Sequence, residues 1–91
     1  MAEPAAGSAI RVTVRYFAAA RAAAGTECEA IGIAPGSTVA DLVDLLGGRD
    51  AGLARVLGRC SFLCDGIAVR DPGTALDAGR TIDVLPPFAG G

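Results

Sequence analysis

The sequence predicts an α+β fold in which a mixed sheet wraps around one main helix, and three observations point there. Ile10 to Phe17 alternates strictly, with Ile10, Val12, Val14 and Tyr16 on one face and Arg11, Thr13, Arg15 and Phe17 on the other, the pattern of a half-buried strand. Val39, Leu42, Val43 and Leu46 recur at helical spacing behind a strong helix-start signal. Beyond that helix lie Asp65-Gly66, the strongest two-residue hairpin signal in the chain, and a short apolar-alternating run from Thr81 to Leu85.

The elements follow in order. Ala18 to Ala24 has helical propensity but is too short to hold a helix by itself, so a loop with one helical turn, ended by Gly25, is expected. Glu27 to Ile33 reads as a second strand closed by the turn Pro35-Gly36. Thr38-Val39-Ala40-Asp41 fits a capping box, the Thr38 hydroxyl serving an early amide and the Asp41 carboxylate reaching back. The helix that follows leaves Asp41 and Asp44 to solvent, and Gly47-Gly48 is expected to end it as a C-cap. Leu53, Val56 and Leu57 allow a second short helical segment up to Gly58. Ser61 to Cys64 and Ile67 to Val69 flank the hairpin turn, Asp71-Pro72-Gly73 is another turn, and Leu76 begins a connector. Thr81 to Leu85 is the last strand, with Ile82 and Val84 inward.

At 91 residues the chain is one domain, burying about 60 to 65% of the surface its unfolded form exposes. The expected organisation is a flexible N-terminal tail over residues 1–9, a folded domain over 10–85 and an extended C-terminal tail over 86–91. All eight basic residues are Arg, against ten Asp and Glu. A net charge of −2 without a basic cluster argues against nucleic-acid binding, which rests on phosphate neutralisation. The N-terminus carries Glu3 and Pro4 and lacks a basic region followed by an apolar run, so neither signal peptide nor membrane anchor is expected, and a cytoplasmic protein is. Cys28, Cys60 and Cys64 are an odd set, and the chain has no His. No metal site is expected, and the three thiols read as small core or strand-face hydrophobes.

Two strands, a crossing helix and then further strands is the order of a β-grasp, the ubiquitin-like arrangement, in which by analogy the first and last strands lie side by side. Phe17 and Leu85 then end neighbouring strands on the outward face, both expected to point to water, and Phe88 follows in the tail. Three large apolar side chains converging beside a chain end read as a partner site. The end itself carries the chemistry. Pro86-Pro87 stiffens the run after Leu85, and Phe88-Ala89 leads to Gly90-Gly91, where the terminal carboxylate stands on a stem without side chains. The last six residues reach at most roughly 20 Å, which suits a chain end threaded into another protein's active site.

Val14-Arg15-Tyr16-Phe17-Ala18 with Ala20-Arg21 and Ala24-Gly25, the helix start Gly36 to Leu42, and above all the ending Leu85-Pro86-Pro87-Phe88-Ala89-Gly90-Gly91 resemble the MoaD/ThiS family of ubiquitin-like sulfur carriers, with the molybdopterin synthase small-subunit branch the nearest match. The resemblance implies that an E1-like adenylyltransferase activates the Gly91 carboxylate with ATP, that a sulfur donor converts it to a thiocarboxylate, and that the large subunit of molybdopterin synthase accepts the tail and uses the sulfur. It makes Gly91 the reactive residue and Phe17, Leu85, Pro86, Pro87, Phe88, Ala89 and Gly90 the partner-binding ones. It implies a hetero-oligomer whose catalytic groups sit on the partner, with no cofactor bound to this chain. The Leu-Pro start of the tail also occurs in sulfur carriers of thiamin and cysteine biosynthesis, and a ubiquitin-like modifier shares the Gly-Gly end. Those readings stand beside the first.

Overall fold

In the computed structural model, which describes residues 9–87, five strands form one sheet in the order β2-β1-β5-β3-β4. β1 (Ile10–Tyr16) pairs antiparallel with β2 (Cys28–Ile33) and parallel with β5 (Thr81–Leu85), so the first and last strands are neighbours. β5 pairs antiparallel with β3 (Ser61–Cys64), which turns into β4 (Ile67–Ala68). Three helices, α1 (Ala18–Ala24), α2 (Val39–Gly47) and α3 (Ala51–Leu57), complete the β-grasp.

The core follows from the period-two pattern. Val12, Val14 and Tyr16 of β1 and Ile82 and Val84 of β5 are buried with Val39, Leu42 and Leu46 of α2, Leu53 and Leu57 of α3, and Leu76. Each such Val or Leu withdrawn from water contributes about 1.5–3 kcal/mol against chain entropy. Thr38 caps α2 as its spacing predicts: the Asp41 amide donates to Thr38 Oγ1 at 3.1 Å and the Thr38 amide to Asp41 Oδ2 at 2.9 Å. The connector after β4 lies across this helix start. The Val39 and Ala40 amides donate to the Thr74 and Pro72 carbonyls at 3.0 and 2.9 Å, which satisfies two donors that have no partner inside the helix.

One local expectation needs correction. Ala18–Ala24 is a seven-residue helix and not a loop with a single helical turn, because Ala20 is fully buried and packing supplies what propensity alone cannot. Gly25 closes it in the left-handed conformation, its amide donating to Arg21 O at 2.9 Å. The helix α2 ends where Gly47-Gly48 predicts, with Gly48 as its C-cap at φ −71° and its amide donating to Asp44 O at 2.9 Å, while Gly47 belongs to the helix. What Gly47 provides is proximity: a Cβ there would lie 3.3 Å from Ala54 Cβ on α3. The hairpin behaves as its sequence predicts, with φ of 50° at Asp65 and 85° at Gly66 making a type I′ turn. Asp65 also accepts the Thr81 amide at 3.0 Å and pairs with Arg80 at 2.8 Å, tying the turn to β5.

One polar side chain enters the inner face. The Tyr16 hydroxyl donates to Glu29 Oε2 at 2.6 Å, and Arg49, just past α2, donates to Glu29 Oε1 at 3.0 Å. This joins β1, β2 and the α2–α3 connection.

Candidate functional site at the root of the tail

Because β1 and β5 run parallel, both finish at the same pole of the sheet, and that pole is where the tail leaves. The register aligns Arg15 with Asp83 and Tyr16 with Val84, and the Phe17 amide donates to Val84 O at 3.2 Å, so Phe17 and Leu85 end adjacent strands on the face turned away from the helices. Neither belongs to the buried core or to the apolar residues packed against it. They are half-buried, however, where full exposure to water is the sequence expectation. For Phe17 the cause is Arg15, whose guanidinium carbon stands 5.4 Å from the ring centroid, within the range of a cation–π contact.

Arg15 also pairs across the strands. Its Nε lies 2.9 Å from Asp83 Oδ1, close enough for an ion pair but without the alignment of a hydrogen bond. The Asp83 side chain is 13% exposed and that of Arg15 is 52% exposed, so a sheltered carboxylate holds an open guanidinium over the aromatic ring. Leu63 and Ser61, which face Asp83 and Leu85 in the β3–β5 register, extend the same outer surface.

Immediately beyond Phe17, Ala18 turns the chain into α1 with φ 49°, a left-handed angle unusual for a residue with a Cβ. The corner encloses an open cavity of about 410 Å³ between Phe17, Arg21, Glu27 and Cys28, with Arg21 paired to Glu27 at 2.9 Å.

The tail starts from a fixed point. Pro86 is buried and Pro87 exposed, and together with Ala19 of α1 and Arg55, Val56 and Arg59 at the end of α3 they line a groove of about 490 Å³. Burial of Pro86 places the first residue of the expected tail against α1 and the end of α3. Phe88, Ala89, Gly90 and Gly91 lie outside the described residues. Of the expected partner-binding residues, the structure therefore brings Phe17, Leu85, Pro86 and Pro87 to one pole.

Sequence reasoning missed the residues that organise this pole. Arg15 and Asp83 could have been found, since both occupy outward positions of strands expected to be neighbours, and opposite charges at such positions pair. Arg55 and Arg59 carried no comparable signal, because nothing in the sequence brings the end of α3 to the tail.

Two of the thiols, Cys60 and Cys64, are shifted away from the thiolate form. Burial pushes Cys60 above the ordinary thiol value, and its Sγ donates to Val56 O at 3.2 Å. Burial also raises Cys64, with Asp65 and Asp77 adding to the effect and Arg80 opposing it. Cys28 is exposed at the start of β2. Among the described residues no group of three or more His, Cys, Asp or Glu side chains is arranged to hold a metal, and no helix is long and apolar enough to cross a membrane.

Comparison with known proteins extends this geometry. The family model described as the ThiS family matches residues 14–91. The HVO 2177 protein of Haloferax volcanii is 30% identical, with a TM-score of 0.80 over 92% of this chain and 89% of its own. Small archaeal modifier protein 1 of H. volcanii is 26% identical, with a TM-score of 0.76 over 87% of this chain and 99% of its own. A chain in the complex of subunits 1 and 2 of the molybdopterin-converting factor from Helicobacter pylori 26695 is 26% identical, with a TM-score of 0.67 over 90% of this chain and 100% of its own. No curated protein matches the sequence.

Proposed function

The chain belongs to the ThiS family of ubiquitin-like sulfur carriers, and from that premise we propose that Gly91 carries sulfur as a thiocarboxylate and that the chain serves as the small subunit of a molybdopterin synthase. The observation that carries this reading is the extent of the family match, which runs through the Gly-Gly end to Gly91 and includes the stiff Pro86-Pro87 stem.

The chemistry needs little from this chain. A free carboxylate is a poor electrophile. Attack by a Gly91 carboxylate oxygen on the α-phosphorus of ATP, held by an E1-like enzyme, releases pyrophosphate and leaves an acyl-adenylate. A sulfur donor at the oxidation level of sulfide then attacks the acyl carbon, AMP departs, and the terminal C–O bond is replaced by C–S. No electrons are gained or lost. Acid, base and phosphate-binding groups belong to the partners, and this chain presents its end and a docking face. Phe17 and Leu85 provide that face, and the buried Pro86 anchors the root of the stem beside it.

The molybdopterin branch draws support from the likeness to the two-subunit factor of H. pylori, in which a chain of this size is complexed with a second subunit. The likeness to small archaeal modifier protein 1 favours a second reading, conjugation of Gly91 to target lysines. Lacking Lys, the chain would form no polymer on itself by that bond.

Intact mass of the protein purified from its own cells tests the proposal. A carrier shows the replacement of one terminal oxygen by sulfur, and deletion of Gly91 or extension beyond it abolishes that species in a protein that still folds. Sulfur transfer by the truncated chain to purified partners sinks the reading, and a ladder of higher-mass conjugates without thiocarboxylate favours the modifier.

A further inference from the structure

The groove beside Pro86 and Pro87 is lined by Ala19, Arg55, Val56, Arg59 and those two prolines, and we propose that it docks an acidic segment, carboxylates around an apolar side chain, on the protein that receives the tail. The inference rests on the reading that the tail is delivered to a partner, and deepens it by stating what that partner presents.

Charge is the first argument. Among the described residues, Arg15, Arg21, Arg49 and Arg80 each have a carboxylate within ion-pair distance, whereas Arg11, Arg55, Arg59 and Arg70 have none, and of these four it is Arg55 and Arg59 that line this groove together. An acidic chain with ten Asp and Glu has thus left two guanidiniums unmatched at one place. They stand one helical turn apart at the end of α3, a spacing at which like charges repel. The helix C-terminus favours a cation, and Arg55 in the last turn answers that preference. A second cation beyond the last turn gains less from the dipole, which falls off within that turn, and adds repulsion. Neither guanidinium has an ion-pair partner among the described residues, and both border the groove.

Shape is the second. The floor is apolar, made by Ala19, Val56 and the prolines, and among the described residues no carboxylate lines the wall. An apolar side chain seated on the floor with carboxylates to either side satisfies both surfaces, whereas a bare anion leaves the floor wet. Position is the third. Pro86 is buried in this groove, so a partner that grips residues beyond Pro87 passes over it, and contacts here and along the tail reinforce one another.

The test uses the full chain and two peptides, acetyl-Glu-Asp-Leu-Glu-Asp-amide and its amide counterpart acetyl-Gln-Asn-Leu-Gln-Asn-amide, read by amide chemical shifts. The acidic peptide shifts the amides of Ala19, Val56 and Arg59 with saturation, the neutral one does not, and Arg55→Glu with Arg59→Glu removes the response. The shifts shrink in roughly 1 M salt, where the Debye length is about 3 Å. If the double reversal melts early, Arg55→Gln with Arg59→Gln serves, and is expected to weaken binding at least about tenfold.

No shift with the acidic peptide, or an undiminished shift in both double variants, overturns the proposal. So does an equal response to inorganic phosphate, which makes the groove a plain anion site. Self-association of the free chain that the reversals abolish overturns it too, by seating a second copy there. Thiocarboxylate loading of the same samples separates the two ideas: normal loading without a peptide response sinks the groove alone, and a peptide response in a chain that is never loaded sinks the carrier reading alone.

Discussion

The two faces of the β1–β5 pair differ in what they are built to withstand. On the inner face Val14 and Val84 are 0% exposed and Tyr16 only 2%, within a buried apolar cluster whose polar edge is the Glu29 carboxylate that Tyr16 and Arg49 engage. On the outer face Arg15, Phe17, Asp83 and Leu85 occupy alternate positions of the same strands and are held by one ion pair and one cation–π contact. One residue of offset therefore separates the packed inner strip from the outer face proposed for docking. The parallel register makes both strands end at the same pole, so that outer face lies beside the root of the tail.

The largest effect expected from breaking this division is on the inner side. Val84→Asp puts a carboxylate among apolar chains without a partner, which costs more than about 4 kcal/mol and approaches the whole stability of a domain this small. Denaturant titration should find the variant largely unfolded. A folded variant with a midpoint near that of the parent would mean the inner strip can admit water.

Moving one residue along each strand reverses the expectation. Phe17→Asp and Leu85→Asp should change stability by no more than about 1 kcal/mol, since neither side chain packs against the core. Affinity for the large molybdopterin synthase subunit should fall by roughly 2 kcal/mol, about thirtyfold, as for an aromatic or aliphatic anchor lost from an interface centre. The Asp at position 17 has a compensation that Leu85→Asp lacks: Arg15 already stands over that site and can pair with the new carboxylate. Phe17→Asp should therefore be the better tolerated in melting. Early melting of either variant puts its side chain in the core, and two stable variants that bind normally remove the docking face.

How much of this was legible follows from the range of the signals involved. Alternation in Ile10 to Phe17, the Thr38 to Asp41 cap and the Asp65-Gly66 turn are local patterns, and local hydrogen bonding enforces each of them. The helix at Ala18–Ala24 was not, because seven residues hold a helix only when Ala20 finds a buried seat, which sequence-local reasoning does not see. The helix end at Gly47-Gly48 was legible, but the packing of Gly47 was not, because its need for space comes from Ala54 on another helix. At the candidate site, the alternation identified Phe17 and Leu85, but the sheltering of Phe17 by Arg15, the burial of Pro86 and the unmatched Arg55 and Arg59 all depend on which elements meet. The family membership was legible because its motif rests on residues contiguous in the sequence.

The smallest effect sharpens the comparison at its one mixed point, where Tyr16 brings a polar group to the inner face. Burial raises the Tyr16 hydroxyl well above its ordinary value of 10.0, with the hydrogen bond and charge of Glu29 adding to it. For Glu29, burial pushes upward from 4.5, yet the hydrogen bonds from Tyr16 and Arg49 outweigh it and leave the carboxyl lowered. The signs then differ at the two ends of the pH scale. A lowered carboxyl contributes stability that is present above its unfolded value and lost as pH falls through the folded one. A raised phenol contributes stability that is full below 10.0 and lost as pH rises beyond it, because the unfolded chain ionises first. Tyr16→Phe removes the hydroxyl from both effects. The variant should be less stable by about 1 kcal/mol near neutrality, a typical net value for one hydrogen bond, since Glu29 keeps Arg49 and some access to water. That deficit should narrow below about pH 4, and again above about pH 10, giving a bell-shaped difference between the two stability curves. Urea titrations of both proteins across that range measure it directly. A difference that stays constant with pH would show that the hydroxyl contributes through packing alone, and would make the inner face as apolar in its energetics as its neighbours.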